Sequence, residues 1–240
     1  MKVSIITQAR MAATRLPGKV LKTIREKSLL AYHLQRAAWS DLPIIVATTV
    51  KGEDEPIVEE CKTLKISYFR GEEDDVLSRY YHCAKENNLD IIVRITSDCP
   101  LIDGLLIREG FEEYKRSDVD YLSNSIERTF PRGLDFEIFS FKALEAAYKN
   151  AKELPEREHV TPYICRNNPN LFRIMGFPYK EDKSRYRITV DTDKDFEVIK
   201  ILIEDFEADQ KGYEQIIEIL GNHPEIVNIN KDVKQKEYGE

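Results

Sequence analysis

Along the first half of the chain, short aliphatic and β-branched runs alternate with stretches whose apolar positions recur every three or four residues. Val3 to Thr7 is one such run and predicts a buried strand. Ser28 then stands where an N-cap belongs, ahead of a helix carrying Leu29, Leu30, Tyr32, Leu34 and Ala37. Ile44 to Thr49 predicts a second strand, Asp54 to Leu64 a helix with Ile57, Val58, Cys61 and Leu64 at helical spacing, and Ile66 to Phe69 a third strand. Asp74 to Asn87 reads as a helix, Ile91 to Thr96 as a fourth strand, and Asp103 opens a helix through Leu106, Ile107 and Phe111. Strands and helices alternating in this order predict an α/β class, a mostly parallel sheet covered by helices on both faces. Right-handed crossovers place the loops after the strands along one edge, where open α/β sheets bind ligands.

The second half is less regular. Leu134 to Phe139 alternates as a strand, Phe141 to Lys152 as a helix, and Arg157 to Asn167 as a helix interrupted early by Pro162. Leu171 to Phe177 and Arg185 to Asp191 predict two further strands, which the polar segment 178–184 would join as a hairpin. Asp195 to Glu207 and Tyr213 to Leu220 read as closing helices. No repeat, low-complexity stretch or Gly/Pro/Ser-rich linker divides the chain, so residues 1–230 are read as one domain and 231–240 as a frayed tail.

Composition narrows the function. The 240 residues are 42% hydrophobic and carry a net charge of −7, which disfavours a general nucleic-acid binder. That charge is uneven: residues 1–36 hold eight basic side chains and one acid, so they carry +7 and leave −14 to the rest. No apolar run approaches the roughly 20 residues that span a bilayer, so no membrane insertion is expected. Met1 to Gln8 is followed by no small-residue cleavage site, so no secretory signal is expected. Cys61, Cys83, Cys99 and Cys165 form no C-x-x-C pair and read as small core residues in a reducing cytoplasm.

The richest segment follows the first strand, Gln8-Ala9-Arg10-Met11-Ala12-Ala13-Thr14-Arg15-Leu16-Pro17-Gly18-Lys19. Its three cations and small side chains could wrap a polyphosphate with backbone N–H groups, Arg and Lys. It matches neither the Walker pattern nor the dinucleotide G-x-G-x-x-G, and by spacing alone it reads equally well as a solvated basic turn. Asp98, in Thr96-Ser97-Asp98-Cys99-Pro100, ends the fourth strand and could hold Mg²⁺, although alone it also reads as a turn acid. Asp191, in Thr189-Val190-Asp191-Thr192-Asp193, could share that ion, while Asp193 sits where a helix N-cap would. Tyr80 and Tyr81 read as helix core.

These residues carry a resemblance. The opening Ile-Thr-Gln-Ala-Arg-Met-x-x-Thr-Arg-Leu-Pro-Gly-Lys-Val-Leu, with Phe69-Arg70-Gly71, Asp75-Val76-Leu77-x-Arg79-Tyr80, Val93-Arg94-Ile95-Thr96-x-Asp98-Cys99-Pro100, Pro131-Arg132-Gly133-Leu134-Asp135 and Arg157-Glu158-His159-Val160-Thr161-Pro162-Tyr163, closely resembles the spore coat polysaccharide biosynthesis protein F group of the cytidylyltransferase superfamily. More distantly it is similar to CMP-sialic acid and CMP-ketodeoxyoctonate synthetases, from whose first loop Gln8 departs. The resemblance implies a three-layer α/β/α nucleotide-diphospho-sugar transferase fold with a mostly parallel mixed sheet. It implies a nucleotide loop of Gln8, Ala9, Arg10, Arg15 and Lys19, with Arg79 on base or phosphate. Asp98 and Asp191 would be the Mg²⁺ ligands, and Arg10, Lys19 and Asp98 the catalytic set.

The implied reaction moves CMP from CTP to a sugar acid, with release of pyrophosphate, in a cytoplasmic enzyme of surface polysaccharide synthesis. Arg128, Arg132 and Asp135 would line the acceptor pocket, and Glu158 and His159 would reach it, unless Glu-Arg-Glu-His is a charged first turn of a helix. A homodimer is implied as well, with Leu134 to Phe139 as a contact. The rival is a glycosyltransferase of related fold using an Asp-x-Asp metal site, for which Asp118-Val119-Asp120 and Asp191-Thr192-Asp193 are the triplets. The basic first loop favours a free triphosphate over a nucleotide sugar.

Overall fold

Side chains along the central strands point alternately to two buried faces, and that alternation splits the interior in two. Ile5, Val46, Val93, Ile95 and Ile138 point into a large core, whereas Ile6, Ile45, Ile92 and Phe139 point into a smaller one. The computed structural model describes residues 1–168 and 170–235. It runs through β1 (Val3–Gln8), β2 (Thr23–Ile24), β3 (Lys27–Ser28), α1 (Leu29–Ala37), β4 (Ile44–Thr49), α2 (Glu55–Leu64), β5 (Ser67–Gly71), α3 (Val76–Glu86), β6 (Ile91–Thr96) and α4 (Gly104–Arg116). There follow β7 (Tyr121–Ser123), β8 (Glu137–Ser140), α5 (Phe141–Asn150), α6 (Leu154–His159), β9 (Ile174–Gly176), α7 (Asp193–Phe206), α8 (Tyr213–Asn222) and α9 (Pro224–Asn230).

Seven strands form one sheet in the order β5-β4-β1-β6-β8-β7-β9. All pairs are parallel except those of β8, which runs against both β6 and β7. Helices α1, α4, α7 and α8 cover one face through the large core, and α3 and α5 cover the other through the small one. The expected three-layer fold with a mixed, mostly parallel sheet is therefore present. Ser28 caps α1 by accepting from the Ala31 amide, and Asp103 caps α4 by accepting from Leu105 and Leu106, so both expected helix starts hold.

The second half departs from expectation at named places. The strand expected from Leu134 starts at Glu137, because side chains take the backbone partners before it: the Asn124 amide donates to the Leu134 carbonyl, Phe136 N donates to Asn124 Oδ1, and Ser123 Oγ donates to the Phe136 carbonyl. Being buried between β6 and β7, β8 offers no free edge as a dimer contact. Arg185 to Asp191 forms no hairpin with β9. It runs extended beside Arg132, bonded through Tyr186 O and Ile188 N, while β9 pairs in parallel with β7. Gly133 is required there: its φ is +107°, and a Cβ would lie 2.7 Å from the Ile188 carbonyl.

The helix expected over 157–167 breaks in two. Pro155 sits in the first turn of α6, which ends at His159 before Val160 turns to φ +72°, and a π-helical turn follows at Tyr163–Asn167. Thr192, not Asp193, caps α7, in a capping box with Asp195. Of the tail expected to fray, residues 236–240 lie outside the described residues.

Candidate active site

β1, β6 and the extended segment 185–191 bring their ends to one edge of the sheet, where the loop after β1 curls on itself. The amides of Ala13 and Gly18 both donate to the Met11 carbonyl, and Asp54 Oδ1 accepts from the Met11 amide. Gly18, at φ +67°, starts a single turn that throws Lys19 inward. There the Lys19 ammonium donates to Asp98 Oδ2 at 3.1 Å, Asp191 Oδ1 at 2.8 Å and the Val190 carbonyl at 2.7 Å. Burial would pull Lys19 down, but the charges of Asp98 and Asp191 override it and hold the ammonium above its ordinary value. Burial likewise opposes ionisation of Asp98, yet the Lys19 charge, with hydrogen bonds from Thr96, Lys19 and Cys99, lowers it to about 2. The second oxygen of Asp191 takes Arg15 and Arg187, each at 2.8 Å.

Behind this pair sits a fully buried histidine that the sequence reading passed over. His33 Nδ1 lies 2.9 Å from the Cys99 carbonyl and Nε2 lies 2.9 Å from Thr7 Oγ1. A carbonyl only accepts, so Nδ1 carries the proton and, in the neutral ring, Nε2 accepts from the threonine. Burial pushes this imidazole down to about 4, against the Cys99 hydrogen bond and the Asp98 charge. The ring clasps the Asp98 loop to β1.

Two cavities open on either side of the carboxylates. The first, about 240 Å³, is lined by Gln8, Ala9, Arg10, Arg15 and Lys19 of the first loop, by Arg79, the sixth residue expected to contact nucleotide, and also by Glu158. The second, about 570 Å³, brings together Arg128, Arg132 and Asp135, the residues expected of an acceptor pocket, with Arg94, Glu137, Thr161 and Arg166. Thr96, Asp98, His159 and Asp191 belong to both walls. Glu158 thus falls on the first cavity rather than on the expected acceptor side, and both it and His159 end α6 rather than start it.

Charge is arranged differently on the two sides. Arg10 is 40% exposed, with Glu73 at 3.9 Å, and buried Arg79 donates to the Glu72 carbonyl while its Nε has no hydrogen-bond partner among the described residues. In the second cavity, Arg94 pairs with Glu137, whose other oxygen accepts from Tyr121 at 2.6 Å and Thr161 at 2.5 Å, and Arg94 also reaches Gln8 at 3.1 Å. Arg128 is held on Asp135 at 2.6 Å. Partial burial, with Arg94 and Arg166, draws His159 below its ordinary value against the pull of Glu158 and Glu137.

Several of these residues escaped the sequence reading. Arg94 is a charged position inside an otherwise apolar run, and Arg187 is a charge between Tyr186 and Ile188 of an expected strand, which was the available signal for them. Lys234 and Gln235, inside the segment expected to fray, bond to Arg15 at 3.0 Å and to Arg187 at 2.7 Å. Neither Asp-x-Asp triplet converges on a site: Asp118 and Asp120 both bind Arg173 at the surface, and Asp193 is 83% exposed beside Lys22. Tyr80 and Tyr81 are core, as expected, and the four thiols are free.

Comparison with known proteins agrees with this fold. The chain is 43% identical over its whole length to an uncharacterized protein of Methanocaldococcus jannaschii, covering 99% of it. It is 31% identical to the spore coat polysaccharide biosynthesis protein SpsF of Bacillus subtilis, over 93% of this chain and 95% of that one. A solved cytidylyltransferase from Leptospira borgpetersenii superposes with a TM-score of 0.91 at 36% identity, covering 99% of this chain and all of the other. A CMP:2-keto-3-deoxy-manno-octonic acid synthetase solved with CTP shares the fold, with a TM-score of 0.65 at 16% identity, over 85% of this chain and 99% of that one. The family model for cytidylyltransferases matches residues 4–237, and the chain is an enzyme that belongs to the cytidylyltransferase family.

Proposed function

We propose that this enzyme transfers CMP from CTP to the hydroxyl of a sugar acid, releasing pyrophosphate, as a step in surface polysaccharide synthesis. The observation that carries the reading is the seam of Thr96, Asp98, His159 and Asp191 shared by the two cavities. A triphosphate held by Arg10, Arg15 and Lys19 on one side would meet an acceptor from the other side over the carboxylate pair. The name of SpsF supports the polysaccharide setting, and that of the CTP-bound synthetase the transfer of CMP to a sugar acid.

In this reading the acceptor oxygen forms a bond to the α-phosphorus while the bond from that phosphorus to the bridging oxygen breaks, and pyrophosphate leaves with the electron pair. Arg10 and Arg15 neutralise the charge that builds on the leaving group, and fixed positioning supplies much of the rate. His159, on both walls and drawn toward its neutral form, is placed to accept the hydroxyl proton. Arg132 and Arg166 add guanidinium groups to the second wall, suited to a substrate carboxylate.

The donors fit one Mg²⁺. Asp98 and Asp191 already converge on a single cation, the Lys19 ammonium, and Mg²⁺ takes one or two carboxylates completed by phosphate oxygens and water. Among the described residues no group of three or more His, Cys, Asp or Glu forms a metal site, so the nucleotide would complete the shell. Bound there, the ion would withdraw charge from the α-phosphate.

Pyrophosphate release tests the reading: with Mg²⁺ and a panel of sugar acids, CTP should release it and the other triphosphates should not. Consumption of a nucleotide sugar, with no release from any triphosphate, would overturn it. Chelation by EDTA should stop turnover, and added Mg²⁺ should restore it. The free thiols suit a cytoplasmic setting, no helix among the described residues is long and apolar enough to cross a membrane, and the homodimer implied by the resemblance is open to sedimentation.

A further inference from the structure

The sequence assigned Lys19 to phosphate and the two aspartates to metal, but in the structure the lysine occupies the aspartates. An ammonium has three N–H donors. Lys19 directs all three inward, to Asp98 Oδ2, Asp191 Oδ1 and the Val190 carbonyl. No donor is left for a phosphate.

The remaining carboxylate oxygens are held by other groups. Asp98 Oδ1 lies 3.5 Å from Cys99 Sγ, and Asp191 Oδ2 holds Arg15 and Arg187, each at 2.8 Å. Lys19 is therefore the only charged partner of one oxygen on each aspartate among the described ion pairs, and its departure would release those two oxygens together. A divalent ion cannot share them with the ammonium, because both cations would sit within a few ångströms in a partly buried site. Nor is the pair stable bare, with two carboxylates side by side.

We infer that Lys19 is the resident cation of the nucleotide-free site and that a metal-bound triphosphate displaces it, the phosphates taking the ammonium and the ion taking Asp98 and Asp191. This rests on the nucleotidyl-transfer reading above and adds a gate to it: without nucleotide, the carboxylates are closed to divalent metal. The movement is small. The backbone of Lys19 stays pinned by its bond to the Leu16 carbonyl, and the four-carbon stem swings into a cavity its own side chain already lines.

Binding of Mn²⁺, used as a paramagnetic probe without nucleotide, tests occupancy. Mn²⁺ should bind Lys19→Met about tenfold or more tightly than the wild type, a difference of about 1.4 kcal/mol, and the gain should vanish in Lys19→Met with Asp98→Asn. Equal affinity in the wild type and Lys19→Met overturns the inference. Because no nucleotide is present, this result is separate from the pyrophosphate assay that decides the reaction. Should Lys19→Met not fold, ¹⁵N-lysine-labelled wild type gives the same decision. The Lys19 ammonium signal should ignore Mg²⁺ alone and shift with Mg²⁺ and CTP; a shift with Mg²⁺ alone, or none with bound nucleotide, overturns the exchange.

Discussion

The two cavities that meet at Asp98 are built by opposite means. The first is largely one continuous stretch, Gln8 to Val20, folded on the end of β1, and Arg10 reaches its wall with little neutralisation. The second is assembled from β6, β7, β8, the 125–135 loop and residues 159–166, and its charges answer one another, Arg94 on Glu137 and Arg128 on Asp135. On the first wall Lys19 and Arg15 rest on the carboxylates proposed as metal ligands and Arg10 remains for a ligand, whereas much of the charge on the second shapes the wall itself. A change on the first side should therefore register in turnover, and a change on the second in stability.

Asp98→Asn, on the seam where the two walls meet, carries the largest expected effect. The turnover number should fall about a thousandfold, near 4 kcal/mol, while circular dichroism shows the fold retained. Glu137→Gln should do the reverse, leaving a mostly buried Arg94 without its counter-charge at a cost of about 3 to 4 kcal/mol in urea unfolding; equal stability with a collapse in turnover would break the contrast.

His33 gives a pH signature behind the first cavity. Its folded value lies near 4 against 6.5 for the free group, so the unfolded chain takes up the proton first. The stability it lends is whole above pH 6.5 and drains away toward pH 4, about 3 kcal/mol in all. Chemical denaturation across that range should show the slope, and His33→Gln should flatten it. Arg128→Ala should matter least. Its partly exposed ion pair with Asp135 suggests less than about 1 kcal/mol, and a KM for the acceptor raised more than tenfold would show that Arg128 leaves Asp135 to hold substrate.

The same division explains what could be read from sequence. β4 and β6 begin and end where their apolar runs do, because a strand buried on both faces is marked residue by residue. The inserted, reversed β8 was not legible in its true extent, since its start depends on Asn124 and Ser123 side chains replacing a ladder. The β2–β3 hairpin was hidden because its turn residues, Arg25 and Glu26, adopt φ of +47° and +64° without the Asn-Gly that usually signals such a turn. Loop residues of the first cavity are neighbours in sequence and could be found together. Arg94 and Glu137 are 43 positions apart, and their pairing exists only after the sheet has formed.

The bonds that close the first loop also set a timetable for synthesis. Lys19 and Asp98 leave the ribosome early, but Asp191 lies 172 residues after Lys19, and the Lys234 carbonyl that steadies Arg15 lies 219 residues after that arginine. A nascent chain can pair β1 with β4 and β6 long before it holds a second carboxylate. The growing polypeptide therefore has a stretch of its life in which a basic loop and a lone aspartate are exposed without their partners, and the last quarter of the chain completes the site when it emerges.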